Sequence, residues 1–185
     1  MRESRKKRIA LLSPILLTVA LAGCFEDKEP VSKEYAEWNA RNVAYIEAAK
    51  DSMVNGKKFF TVLTPDWAPN AYALVHWHND TLLTRNNLQP MDNSTVQITY
   101  ELFDIDGNRI SDSFSAADSL YTSKPSSNII GVWYPLTRMH VGDSVTIVMP
   151  QQSGYGARKY GGITPYSTLI YNIKLKAVAA YEIKP

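Results

Sequence analysis

A two-residue alternation most constrains what this chain can fold into. Val96, Ile98, Tyr100 and Leu102 alternate with Gln97, Thr99 and Glu101. Successive strand side chains point to opposite faces, so the segment reads as a β-strand with one buried side. Leu169, Tyr171, Ile173, Leu175 and Ala177 repeat the pattern near the C-terminus, which aims Tyr171 inward. Asp106-Gly107 follows the first of these strands and favours a tight hairpin turn. SVTIVMP at 144–150 reads as a further strand, and the chain beyond residue 23 is rich in Tyr, Thr, Ser and Val. Such residues suit a pleated, half-buried surface, so the expected protein is mostly β.

The N-terminus is built differently. Arg2, Arg5, Lys6, Lys7 and Arg8 precede the apolar run IALLSPILLTVALAG, which ends at Cys24. A basic head, a short apolar stretch and small residues at its end make an export signal. The run is too short and too one-sided in charge for a transmembrane helix. Leu21-Ala22-Gly23-Cys24 resembles the lipobox of bacterial lipoproteins. That resemblance implies a lipidated Cys24 as the first mature residue, and several acyl chains would hold the protein stably at a bilayer. Cys24 is the only cysteine, so no intramolecular disulfide forms. The acidic FEDKE behind it hints at passage to the outer face in some Gram-negative lineages. The expected location is therefore the cell envelope, lipid-anchored in an outer membrane and facing the periplasm or the exterior.

Removing residues 1–23 leaves 162 residues, enough for one domain with a real core plus an extension. The signal carries a net charge of +4, so the whole-chain +2 becomes about −2 in the mature chain. No basic patch remains to suggest a nucleic-acid partner.

Residues 24–31 are polar and interrupted by Pro30, and read as a tether. Ser32 to about Met53 reads as a helix with Ser32 as N-cap. Tyr35, Trp38, Tyr45, Ile46, Ala49 and Met53 recur along one stripe, and Asn55-Gly56 supplies the stop. The stripe packs on its own domain or presents a partner or dimerisation face. Residues 59–64 and 71–78 read as strands separated by a turn through Pro65-Asp66 and Pro69-Asn70. His76 and His78 then share a face, but His140 is the only other histidine and no cluster completes a metal shell. There is no HExxH, no Gly-rich phosphate loop and no GxSxG elbow, which argues against metalloprotease, nucleotide-binding and serine-hydrolase chemistry.

The order ITYELFDIDG, NIIGVWYPLTRMHVGD, IVMP, GYG and ITPYSTLIYNIKL, over about residues 94–178, resembles the FK506-binding-protein (FKBP) type of peptidyl-prolyl isomerase. The strongest pieces are M-x-V-G-D at 139–143, I-x-x-P…GYG through 147–156 and P-x-x-T-L-I-Y at 165–171. The resemblance implies an α+β fold, an antiparallel sheet curled around one short helix at about 132–139, with Pro135 in its first turn. The expected organisation is a signal peptide at 1–23, a tether at 24–31, a helix and strand extension at 32–90 and an FKBP-like domain at 91–185.

The resemblance also implies an apolar proline pocket. Tyr100 would stand on its wall, Ile110 where an aromatic is usual, and Ile129 with its backbone N–H aimed at the substrate. Tyr155 would offer a hydroxyl to a peptide carbonyl, and Ile163 and Tyr171 would close the pocket. Three departures stand out. Ile110-Ser111-Asp112-Ser113 replaces the usual F-D-S-S, leaving the carboxylate position to Ser111 or a displaced Asp112. Val132 falls at the floor where a Trp is typical, with Trp133 facing the wrong way. A single Ile163 stands where two isoleucines are common. Proline-containing polypeptides are the implied partners, without a cofactor or metal. Ser111 and Val132 keep a non-catalytic peptide-binding or assembly module open as the alternative.

Overall fold

The computed structural model describes residues 31–181; the signal segment, Cys24 and the tether up to Pro30 lie outside the described residues. Among the described residues there are two α-helices, α1 (Ala36–Asp51) and α2 (Ile130–Leu136), and nine strands. The strands are β1 (Met53–Val54), β2 (Lys57–Lys58), β3 (Thr61–Leu63), β4 (Ala73–Trp77), β5 (Thr95–Phe103), β6 (Arg109–Asp112), β7 (Tyr121–Ser123), β8 (Ser144–Met149) and β9 (Leu169–Ala180). β1 and β2 form a small ribbon of their own. The others build one antiparallel sheet in the order β3-β4-β8-β9-β5-β6, with β7 also on β5. This is the expected α+β architecture.

The alternation in β5 and β9 does what it predicts. Val96, Ile98, Leu102, Leu169, Ile173 and Leu175 are buried, and they meet Val132 and Leu136 of α2 in the main core. The strand pair β4–β8 extends the same logic to both faces of the sheet. Ala73, Val75, Val145, Ile147 and Met149 turn toward α2, while Leu74 and Val148 turn the other way onto Ile46 of α1. β3 and β4 of the 32–90 region thus belong to the main sheet, whereas β1 and β2 do not.

The helices depart from expectation in detail. A 3₁₀ turn at Lys33–Tyr35 precedes α1, and the Ser32 side chain makes no capping bond. The anticipated stripe is mostly unburied: Tyr45 and Met53 are exposed, Tyr35, Trp38 and Ala49 are half-buried, and only Ile46 is fully covered. The cause is the small area of sheet beneath the helix, formed by Leu74 and Val148 with Phe60, Tyr72 and Ile170 around them. α2 starts at Ile130, two residues earlier than expected, so Pro135 falls in its last turn and not its first. In so short a helix the missing Pro N–H forfeits a single bond, to the Gly131 carbonyl. Gly131 itself is required by close approach. A Cβ there would lie 2.3 Å from Met149 Sδ and 3.0 Å from the Ser153 carbonyl oxygen.

The exit from α2 is held by Asp143, whose side chain is 1% exposed. Burial works against its charge, but it accepts bonds from Thr84 Oγ1 (2.6 Å), Asn79 Nδ2 (2.9 Å) and the His140 N–H (2.8 Å). The net effect holds the carboxyl below the ordinary carboxylate range. A carboxyl whose folded pKa is depressed stabilises the fold above its unfolded pKa and loses that contribution as pH falls through the folded value. Asp143→Ala should therefore cost about 3 kcal/mol at neutral pH, since three donors lose a buried acceptor. Denaturant unfolding at several pH values checks this. The gap between wild type and variant should narrow once pH drops below about 3.9.

Candidate active site

Beside α2, the main sheet face opens into a cleft of about 520 Å³. Strand register explains its walls. Ile98, Tyr100 and Leu102 are alternate residues of β5 and face the same way as Tyr171 and Ile173 across the β5–β9 pair. Val132 of α2 forms part of the floor, and Ile129 stands at the helix entrance. Tyr155 and Ile163 come from the long loop between β8 and β9. Tyr100, Ile110, Ile129, Val132, Tyr155, Ile163 and Tyr171 thus all line one cavity.

Asp112 does not line the cleft; Ser111 does. Ser111 pairs with Leu102 and shares its cleft-facing side, whereas Asp112 pairs with Glu101 on the opposite side. A register shift next to this pair leaves Ile110 unmatched, so Ile110 and Ser111 both reach the cleft. Asp112 instead accepts a bond from the Phe114 N–H (2.8 Å) and lies 3.5 Å from the Arg109 guanidinium. Ser111 Oγ is 3.1 Å from the Tyr100 hydroxyl, so a neutral hydrogen-bonded pair occupies this wall. Trp133 turns away, with its indole N–H donating to Asp92 (2.6 Å) and its ring 4.7 Å from that of Trp67. The cleft floor is therefore aliphatic.

Two aromatic residues escape sequence reasoning. Tyr121 sits opposite Ile98 in the short β7 pairing, its ring 5.6 Å from that of Tyr100. Tyr160 stacks on Tyr155 at 4.4 Å with the rings nearly parallel. Tyr160-Gly161-Gly162, placed between GYG and Ile163, is the available signal for the second; Tyr121 is hidden in a loop-rich stretch. Among the described residues lining the cleft there are five tyrosines and no charged side chain.

Burial and neighbouring phenols set the electrostatics. Desolvation first, then Tyr160, Tyr121 and Tyr100, raises the Tyr155 hydroxyl above the ordinary phenol range. Desolvation, followed by Tyr155 and the other phenols, raises Tyr171 strongly. Both hydroxyls are thus donors at physiological pH. Among the described residues, neither the Tyr155 hydroxyl nor the Ile129 N–H has a hydrogen-bond partner, which leaves two donors for a bound carbonyl.

Residues 86–176 match the FKBP-type peptidyl-prolyl cis-trans isomerase family. This segment is an FKBP-type isomerase domain. No curated protein matches the chain. Among solved structures, FkpA from Escherichia coli superposes with a TM-score of 0.64 and 21% identity, over 81% of this chain and 63% of that one. The chain thus spans less than two thirds of FkpA. A peptidyl-prolyl cis-trans isomerase from Pseudomonas syringae pv. tomato gives 0.62 and 19% identity, over 80% of this chain and 98% of its own. At these identities the likeness concerns the fold.

The tyrosine cluster gives a direct test of the cleft's dryness. Tyr155 and Tyr171 should ionise only above the ordinary tyrosine value of about 10. Alkaline absorbance titration of wild type against Tyr155→Phe and Tyr171→Phe reads each contribution. Ionisation of either at the ordinary value would show a solvated site.

Proposed function

We propose that this FKBP-type domain accelerates cis–trans interconversion of X–Pro bonds in exported polypeptides, while anchored to the cell envelope through lipid on Cys24. One observation carries the catalytic reading: an uncharged, tyrosine-lined cleft with two unpartnered donors, the Tyr155 O–H and the Ile129 N–H. Prolyl isomerisation needs no nucleophile and no proton transfer. Its barrier, about 18–20 kcal/mol, is the resonance of the amide. X–Pro is the bond at which both isomers are populated.

The cleft acts on that resonance. Planar amide is stabilised by charge separation, and a dry pocket of rings and aliphatic groups disfavours separated charge. The proline ring would enter between Tyr100, Tyr171 and Val132, and the flanking carbonyls would meet the two donors. A twisted amide has less charge separation and fits such a site better than either planar isomer, which is differential binding of the transition state. The absence of a charged side chain among the described lining residues suits this chemistry, because none is required.

The anchor is supported by sequence: the basic head, the apolar run and Leu21-Ala22-Gly23-Cys24. The acidic FEDKE that follows favours an outer membrane of a Gram-negative envelope. Slow proline steps limit the folding of newly exported chains, so an isomerase held at that surface meets its substrates as they emerge. A second reading, a non-catalytic peptide-binding or assembly module, is favoured by one pair of features, Ser111 in the wall and Val132 in the floor.

Exchange NMR on a short X–Pro peptide separates the two. The full-length protein should accelerate exchange, and Tyr155→Phe should lower kcat/KM by about tenfold, the worth of one hydrogen bond in the transition state. Peptide binding without acceleration decides for the binding module. Anchoring is tested apart from catalysis. Cys24→Ser should move the protein from the membrane fraction to the soluble fraction, and retention there would remove the lipid from the reading.

A further inference from the structure

α1 contributes no side chain to the cleft. Even so, hydrogen bonds from its residues 38–42 end on the two segments that carry cleft residues. The Trp38 indole N–H donates to Ser167 Oγ at 3.1 Å. The Thr168 N–H donates to Asn42 Oδ1 at 2.6 Å, and the Thr168 hydroxyl to the Asn42 carbonyl at 3.1 Å. Gln151 Nε2 donates to Asn39 Oδ1 at 3.3 Å. These bonds bracket residues 151–168, the segment that holds Tyr155, Tyr160 and Ile163. On the other side, the Arg41 guanidinium pairs with Asp106 in the β5–β6 turn, just before Ile110 and Ser111.

Asn42 is only 1% exposed. A buried asparagine inside a helix is costly unless its amide is used, and here both of its ends are, since Nδ2 also donates to the Trp38 carbonyl at 2.8 Å. The loop it grips also carries local strain. Tyr166 has a φ of +63°, a region a tyrosine seldom occupies, and it is held there by its N–H bond to the Gly156 carbonyl (2.8 Å) and by the Tyr35 ring at 6.2 Å. Gly156 directly follows Tyr155, so the strained corner and the cleft donor belong to one docked unit.

We propose that α1 is a positioning element for the cleft. Through Asn42 and Trp38 on one side and Arg41 on the other, it sets the distance between the Tyr155 wall and the Ile110–Ser111 wall. Asn42 and Trp38 are positioning residues that act through Tyr155. The proposal rests on the isomerase reading for its kinetic test and on geometry alone for its structural one.

Two variants of the full-length chain test it. Asn42→Ala removes the grip on Thr168, and Trp38→Phe keeps a ring beneath the Arg41 guanidinium but loses the bond to Ser167. Trp38→Phe carries the test should Asn42→Ala fail to fold. Each folded variant should lower kcat/KM for an X–Pro peptide, by up to about tenfold for Asn42→Ala, because small misplacement of a positioned group is expensive. Each loss should largely vanish in a Tyr155→Phe background, which a merely stabilising role would not produce. Losses that add to that of Tyr155→Phe, or unchanged kcat/KM with lowered stability, overturn the proposal. Were the wild type itself inactive, the isomerase reading would fail first. Ring NMR signals of labelled tyrosine still decide the positioning: Tyr155 and Tyr160 should shift in both variants and Tyr121 should not. Unmoved Tyr155 and Tyr160 rings overturn it.

Discussion

The antiparallel pairing of β5 with β9, running from Thr95↔Ala180 to Phe103↔Ile170, is the constraint on which the rest depends. It joins segments some seventy residues apart, so its closure cost must be met before its contacts stabilise anything. Once formed, it presents a single apolar face of Val96, Ile98, Leu102, Ile173 and Leu175. α2 needs that face, being too short at seven residues to persist without packing. The same face supplies Tyr100 and Tyr171, whose rings lie 5.9 Å apart. Core and cleft are thus two ends of one strand pair.

How legible the molecule is from sequence depends on whether a residue's role is set locally or by register. β5 and β9 announce themselves because two-fold alternation needs no knowledge of the partner. Tyr100, Tyr155 and Tyr171 are likewise readable, as each sits in a motif of fixed spacing. The choice between Ser111 and Asp112 is not readable. It turns on which of them stands opposite Leu102, and the unmatched Ile110 changes that count by one. α1 misleads for a different reason. Its apolar stripe is real, but the sheet beneath accepts only Ile46, and the best-buried neighbour is polar Asn42, bonded to a residue 126 positions away. Tyr121 is reached by a three-residue strand too short to stand out from its loop.

On the proposed reading, the neutral wall changes how this FKBP-type domain would hold a substrate. Where Ser111 and Tyr100 form a hydroxyl pair, no carboxylate among the described residues lines the cleft to fix a donor or to attract a cation. Recognition would then fall to shape, ring faces and the two unpartnered donors. Val132 leaves the floor aliphatic while Tyr155, Tyr160 and Tyr121 place the aromatic surface on the walls. Such a cleft grips by desolvation more than by charge, and its strength follows how dry the rings remain.

That lining has a consequence for the conditions under which the protein works. Rings, aliphatic groups, amides and hydroxyls have no proton equilibrium near neutrality, and the two perturbed phenols move further from it. Between about pH 5 and pH 9 neither the Tyr155 nor the Tyr171 hydroxyl changes charge. Acidification of the surroundings would leave the cleft's own potential constant. Acid sensitivity enters elsewhere among the described residues, at Asp143 by the helix exit and at Asp51 and His78, whose lowered pKa values make protonation unfavourable to the fold. In an acidifying medium the protein would therefore keep its turnover per folded molecule while the number of folded molecules declines.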